Sequence, residues 1–221
     1  MMKVLDGRRL LSTSVGHDQE HDGPINPAEV NVWAPTKVAF TKPGEYLTTA
    51  KKGDATTLVQ NFLVANSVKL GTSRAAVLTA EVTDRYFDEQ SGLTHVYIRQ
   101  TYNGLPVISS VGNGSVDGSG RLLSAAAGFI RPNAATRALL REVGDPTVSA
   151  EEAVGHVAQE MGIVLRKEVS VAPYLGKSIR LSAPGLQATP MKTNLVYVGR
   201  KRAKVELAWR MVAKLEDGSH W

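Results

Sequence analysis

Hydrophobic positions recur every second residue from Leu93 onward. Over Leu93 to Tyr102, Val96 and Ile98 fall on one face and His95, Tyr97 and Arg99 on the other, as in a half-buried antiparallel strand. The alternation is interrupted at Asn103-Gly104 and again at Asp117-Gly118. Such dipeptides favour two-residue turns because both residues tolerate positive φ, so the span to Ile130 predicts two hairpins in succession. Gly112-Asn113-Gly114 lies inside the strand pattern with no helix following, which predicts a bulge or turn rather than a phosphate loop.

Elsewhere the period is helical. Asp54 stands where an N-cap belongs, and Leu58, Phe62 and Ala65, with Val59 and Leu63 beside them, follow the i, i+4, i+7 rule up to an end near Asn66. Ala76 to Phe87 reads as strand, closed by Asp88-Glu89-Gln90-Ser91-Gly92. Ser149-Ala150-Glu151-Glu152 is a capping box leading into an apolar stripe of Ala153, Val154, Val157, Ala158 and Met161, with Gly162 as the stop. Val169 to Leu175, Asn194 to Val198 and Val205 to Leu215 are strand-like, the last with Val205, Leu207, Trp209 and Met211 alternating. Gly176 to Pro190 is rich in Pro and Gly and reads as loop.

Breakers divide the chain. Residues 1–44 carry Gly23-Pro24, Asn26-Pro27 and Ala34-Pro35 without sustained periodicity, an irregular N-terminal arm. Arg131-Pro132-Asn133 and Gly144-Asp145-Pro146 mark a second boundary, giving modules at 45–131 and 132–221. The fold class expected is α+β: two small modules, each an antiparallel sheet with one main helix packed on it.

The 221 residues are 43% hydrophobic, ordinary for a folded chain, and no run approaches the roughly 20 apolar residues of a membrane span. No apolar signal-peptide core is visible near Met1. Zero cysteines exclude disulfides, thiolate ligands and a cysteine nucleophile. The net charge of +5 favours acidic partners, yet aromatics are 6% and do not interleave with the basic residues, so a basic nucleic-acid-binding module is the weaker reading.

Candidate chemistry is sparse. His17-Asp18-Gln19-Glu20-His21 matches the inverted zinc-protease motif, but the segment is polar throughout and bounded by Gly16 and Gly23-Pro24, unlike a helix that must pack rigidly to hold a metal. A solvated loop is expected there. No Gly-x-Ser-x-Gly elbow, phosphate loop or His-Glu-x-x-His occurs. His95, Tyr97 and Arg99 share a face without a carboxylate on their strand, and Arg99 is too basic to exchange protons, so a packing or partner-facing role is expected. Arg200-Lys201-Arg202-Ala203-Lys204 reads as a solvated turn, and Asp84, Asp88 and Glu89, whose spacing fits no EF-hand, as an edge strand and turn.

Read as a whole, the run from Thr94 to Phe129 resembles the fungalysin/thermolysin propeptide domain of fungalysin-type secreted zinc metalloproteases, where a His-x-Tyr-x-Arg-Gln strand runs into Asn-Gly-hydrophobic-Pro-Val. Glu206 to Arg210 followed by Asp217 to Trp221 resembles the end of the same propeptide, the part similar to a PepSY domain, which here stops mid-motif. The resemblance implies a fungalysin/thermolysin-propeptide-like domain at 45–131 and a PepSY-like module at 132–221, truncated at its C-terminal end. It implies a propeptide without catalytic residues, acting as intramolecular chaperone and inhibitor of a metalloprotease domain in cis or in trans. Zinc is then expected only in that partner, and the location is secreted or cell envelope. His95, Tyr97, Arg99, Gln100, Asn103, Gly104 and Pro106 are its motif residues, structural or partner-facing. The alternatives are a stand-alone secreted or envelope PepSY-type binding or inhibitor protein, and the nucleic-acid module.

Overall fold

Asp54 opens the first long helix by accepting the backbone N–H groups of Thr56 at 2.9 Å and Thr57 at 3.3 Å, donors that would otherwise have no partner. The helix, α1, spans Ala55–Ala65 with Asn66 as its C-cap, as the spacing predicts. The computed structural model describes residues 2–5, 8–11, 35, 37–131, 140, 146–174, 178–200 and 204–214. The fold is mixed α+β, mostly strand with few helices. Two compact units are present. One comprises Trp33–Val143 and Val198–Val205, the other Met1–Val32, Gly144–Tyr197 and Glu206–Trp221. They are called below the hairpin unit and the capping-box unit.

Residues 1–44, expected to be irregular, contain regular pairing in three places. Met2–Leu5 (β1) pairs antiparallel with Arg8–Leu11 (β2), Val38–Thr41 forms β3, and Lys42 bridges to Glu45. The reason lies in pairing partners: short strands form when another strand satisfies their ladder, a condition that local composition does not reveal. The His17 to His21 motif lies outside the described residues, as do Pro132-Asn133 and Gly144-Asp145 of the expected boundary.

Among the described residues of the hairpin unit, antiparallel strands run in the order β3, β7 (Leu122–Ala127), β6 (Leu105–Asp117), β5 (Leu93–Tyr102) and β4 (Glu81–Asp88). Both expected hairpins are there, but only β5–β6 turns at its dipeptide, Asn103-Gly104; β6–β7 turns through residues 118–121, with positive φ at Gly120 (+80°) and not at Asp117 or Gly118. Helix α1 lies across β5, β6 and β7. Its buried Val59 and Leu63 meet Val96, Ile98, Val116, Leu122, Ala125 and Ala127 in one core. Each fully buried Val, Leu or Ile side chain among them contributes about 1.5–3 kcal/mol.

Two expectations need correction in this unit. Ala76 to Leu78 belongs to a short helix, α2 (Arg74–Leu78), and the strand begins only at Glu81. The Ser73 hydroxyl accepts the Ala76 N–H at 3.1 Å, and this local cap outweighs the weak strand propensity of an Ala-rich stretch. Gly112-Asn113-Gly114 is neither bulge nor turn: Gly112 pairs Ile98, Asn113 pairs Tyr97 and Gly114 pairs Val96 in regular register. Irregularities flank it, at Arg99/Thr101 and Ser115/Val116. The glycines instead make room, since a Cβ on Gly114 would lie 2.7 Å from Val59 Cγ2 and one on Gly112 3.1 Å from Ala127 Cβ.

The capping-box unit is organised by α3 (Ala150–Glu160). Its start is the box read from the sequence: the Ser149 hydroxyl accepts the Glu152 N–H at 3.1 Å while the Glu152 carboxylate accepts the Ser149 N–H at 2.8 Å. Gly162, at φ +66°, follows the end of the helix. Strands β8 (Ser170–Pro173), β9 (Ser178–Ser182), β10 (Met191–Arg200) and β11 (Lys204–Met211) pair in that order. The stripe of α3 packs with Leu181, Leu186, Met191 and Met211.

The Gly176 to Pro190 loop is therefore partly strand. Ile179 and Leu181 sit in β9 because β8 and β10 flank it and complete its ladder, a non-local gain that Pro and Gly nearby conceal. The alternation expected in β11 is also incomplete. Val205, Ala208 and Met211 are buried, whereas Leu207 and Trp209 are half-buried. Trp209 is half-buried because its ring packs on the core while its indole N–H reaches the Val148 carbonyl at 2.9 Å. Residues 201–203 of the basic run and 217–221 of the terminal motif lie outside the described residues.

Candidate functional site

Strand alternation separates the motif residues onto two faces of β5. His95, Tyr97 and Arg99, all half-buried, project from the sheet face opposite Val96 and Ile98, the face without α1. Ser115 on β6 lies directly across from His95, and its hydroxyl is 3.0 Å from His95 Nδ1. Tyr86 on β4 completes the cluster. Its ring is 5.1 Å from the imidazole and stacks on Tyr97 at 6.1 Å, with the two hydroxyls 3.5 Å apart. The hydrogen bond with Tyr97 raises the Tyr86 phenol above its ordinary value. Arg99 is placed between Glu81 on β4 and Val111 on β6 in the register.

Gln100 has the opposite role. In phase with Val96 and Ile98, it is fully buried, and its amide is completely engaged. Nε2 donates to the Tyr102 hydroxyl at 2.6 Å and the Ile130 carbonyl at 2.8 Å. Oε1 accepts the Ile130 N–H at 2.9 Å and the Ser110 hydroxyl. Ser110 in turn reaches Gly128 O at 3.2 Å, and Tyr102 donates to Ile130 O at 3.1 Å. Burial pushes the Tyr102 phenol far above the ordinary range, so it remains a donor. This network fastens the segment after β7 to β5 and β6, which an apolar residue at position 100 could not do.

Asn103 and Gly104 form the tip, with φ of +51° and +72°, the geometry of a type I′ hairpin. The Asn103 amide also donates to Leu140 O at 2.5 Å. Pro106 sits beside the tip opposite Thr101, where the register is irregular, a place that tolerates a missing backbone donor. The motif residues are thus divided among a sheet face, a buried polar network and a turn. They do not converge on one catalytic pocket. Ser110, Tyr102, Ser115 and Tyr86 were not singled out from the sequence. One signal was available for the network: a glutamine in phase with an apolar stripe implies a buried partner.

The second turn has its own electrostatics. Asp117 accepts the Arg121 N–H at 2.8 Å, the Ser119 N–H at 3.0 Å and the Ser119 hydroxyl at 2.8 Å, and pairs with the Arg121 guanidinium at 2.8 Å. Burial alone would raise its pKa. The Arg121 N–H, the Ser119 hydroxyl and the guanidinium outweigh that and hold the carboxyl well below the usual range. Asp88 is lowered as well, chiefly by the Ser91 hydroxyl. A carboxylate lowered in the folded state stabilises above its unfolded pKa near 3.8, and that contribution is lost as pH falls. Urea unfolding should therefore shift to lower midpoints between pH 5 and about pH 2, and Asp117→Asn should flatten that dependence while lowering the midpoint at pH 7. An unchanged pH slope in the variant contradicts this assignment.

Among the described residues no group of three or more His, Asp or Glu is placed to hold a metal ion, and no helix is long and apolar enough to cross a membrane.

A family model described as the Fungalysin/Thermolysin Propeptide Motif matches residues 79–129, the span from the end of α2 through β7. The chain is 27% identical over 143 residues to Extracellular metalloproteinase 10 of Coccidioides posadasii, covering 65% of this chain and 22% of that protein. It is 26% identical over 191 residues to Extracellular metalloproteinase 3 of Arthroderma gypseum, covering 83% of this chain and 26% of that protein. A similar protein of Trichophyton equinum is 26% identical over 165 residues, 72% of this chain and 25% of its own length. The chain thus spans about a quarter of the length of the curated relatives it matches. Residues 79–129 carry a fungalysin/thermolysin propeptide motif, a non-catalytic region of metalloprotease precursors, and the resemblance to the propeptide region of a fungalysin-type protease first legible from Thr94 to Phe129 is shown.

Proposed function

We propose that this chain is the propeptide of a fungalysin-like metalloprotease, acting as intramolecular chaperone and inhibitor of the protease domain, and that it is not itself an enzyme. The observation that carries the reading is the coincidence of the propeptide motif at 79–129 with one continuous antiparallel meander, β4 to β7. That meander is backed by α1 and closed by the Gln100 network, so it presents a fixed surface rather than a reactive centre. On this reading the 45–131 domain holds the mature protease inactive and templates its folding, which matters where an active state is kinetically trapped. The 132–221 module is PepSY-like, the partner is engaged in cis or in trans, and the protein acts outside the cell, as the relatives' name "extracellular" suggests, or in the envelope. His95, Tyr97 and Arg99 face the partner, while Gln100, Asn103, Gly104 and Pro106 maintain the hairpin.

The test is an inhibition and refolding titration with the cognate fungalysin-like protease. The expected result is inhibition by the added chain, a higher refolding yield of the protease, and no effect on serine proteases. Gly104→Val should weaken inhibition indirectly, because a β-branched residue at positive φ costs about 1–3 kcal/mol. Undetectable inhibition at micromolar concentration by folded wild-type protein would transfer the assignment to a PepSY-type binding protein.

A further inference from the structure

Strand β4 pairs with β5 and, among the described residues, with no other strand. One row of its backbone N–H and C=O groups therefore faces outward, a ready template for an added strand. Seven of its eight residues are exposed, including apolar side chains on both faces: Val82 at 41%, Tyr86 at 47% and Phe87 at 60% exposure. The edge has no proline and runs for eight residues; its register shifts between Val82 and Asp84, and Asp84 accepts the Arg85 N–H at 2.8 Å, so the regular ladder it offers lies toward Asp88. Its charges select the partner. Glu81, Asp84, Asp88 and the following Glu89 are acidic in a chain of net charge +5, and Arg85, the one cation of the strand, is paired with Asp54 at the start of α1.

We infer that β4 is a docking edge that accepts an extended, basic segment of a partner protein, its alternate apolar residues resting on Val82 and Phe87 or on Tyr86. The inference rests on the propeptide reading only for the identity of that partner, which would be the protease. A second copy of this chain is a poor occupant, because edge-to-edge pairing would bring two sets of these carboxylates together, and like charges opposite one another destabilise a pair.

The experiment uses the full chain and a capped eight-residue peptide alternating lysine and valine, with a glutamate-valine peptide as control, followed by amide chemical shifts at low salt. The lysine peptide should perturb the amides of residues 81–88 and bind at least tenfold more tightly than the control. The double variant Glu81→Lys/Asp84→Lys should invert that preference, and Phe87→Ser should weaken both peptides. Perturbation centred elsewhere, equal affinity for the two peptides, or no binding by either would overturn the inference. Concentration-dependent dimerisation abolished by Phe87→Ser would overturn it in favour of self-pairing. No protease enters this measurement, so its failure is distinguishable from a failure of inhibition in trans.

Discussion

Replacing Gln100 by alanine lowers the unfolding free energy by about 3 kcal/mol or more, the expectation for a buried amide that loses four hydrogen bonds and leaves a cavity. The side chain is fully buried, and its two ends bind Ile130 N–H, Ile130 C=O, Ser110 and Tyr102. Ile130 keeps Tyr102 and Ser110 as partners after the truncation, which limits the loss to the strength of the network rather than the full desolvation of its carbonyl and N–H. Leucine at the same position fills much of the volume but supplies no polar contact. It is expected to recover the cavity part of the loss and not the hydrogen-bond part, so its unfolding midpoint in urea should fall between those of alanine and wild type. Equal stability of Gln100→Leu and wild type would show that the network contributes nothing net. Hydrogen exchange at Ile130 should accelerate in both variants, since the segment after β7 is held through that residue.

The second large effect is expected at Gly114. A Cβ there would lie 2.7 and 2.9 Å from the two methyl groups of Val59, closer than side-chain carbons approach in folded proteins. Val59 is fully buried in α1, and its branched side chain has little rotamer freedom, so relief requires α1 to move away from the sheet. Gly114→Val should cost about 3 kcal/mol, at the upper end of overpacking losses, even though valine is a good strand residue. The combination with Val59→Ala separates the causes. If the clash is responsible, the double variant is more stable than the sum of the two single losses by at least about 1 kcal/mol, the size of coupling seen between touching residues. Strict additivity would place the defect in the backbone of β6 instead.

These two sites show where sequence reasoning reaches and where it stops. The Asn103-Gly104 turn, the place of the second hairpin, the Asp54 cap, the Ser149/Glu152 box and the Val96/Ile98 face could be read directly, because each is decided by neighbours within a few residues: a dipeptide that takes positive φ, a side chain that bonds the next turn, a period of 2 or 3.6; the geometry of the second turn, with its positive φ at Gly120, could not. The separation of His95, Tyr97 and Arg99 from the core followed from the same periodicity. The propeptide resemblance was legible because a long, ordered run of such local signals is rarely reached by chance. The tertiary structure decided what depends on partners distant in sequence. Gly112 and Gly114 looked like bulge residues, yet their function is to admit Val59 and Ala127, respectively from a helix some fifty residues earlier and the adjacent strand. The strand at Ser178–Ser182 exists because β8 and β10 complete its ladder, and nothing in its loop-like flanks announces that. Gln100 could be placed on the apolar face from the sequence, but its partners at Ser110 and Ile130 are fixed only when two hairpins fold over each other. Local preference costs and returns about 1 kcal/mol per residue, whereas burial and satisfied polar networks are worth several, so wherever the two conflict the three-dimensional contacts prevail.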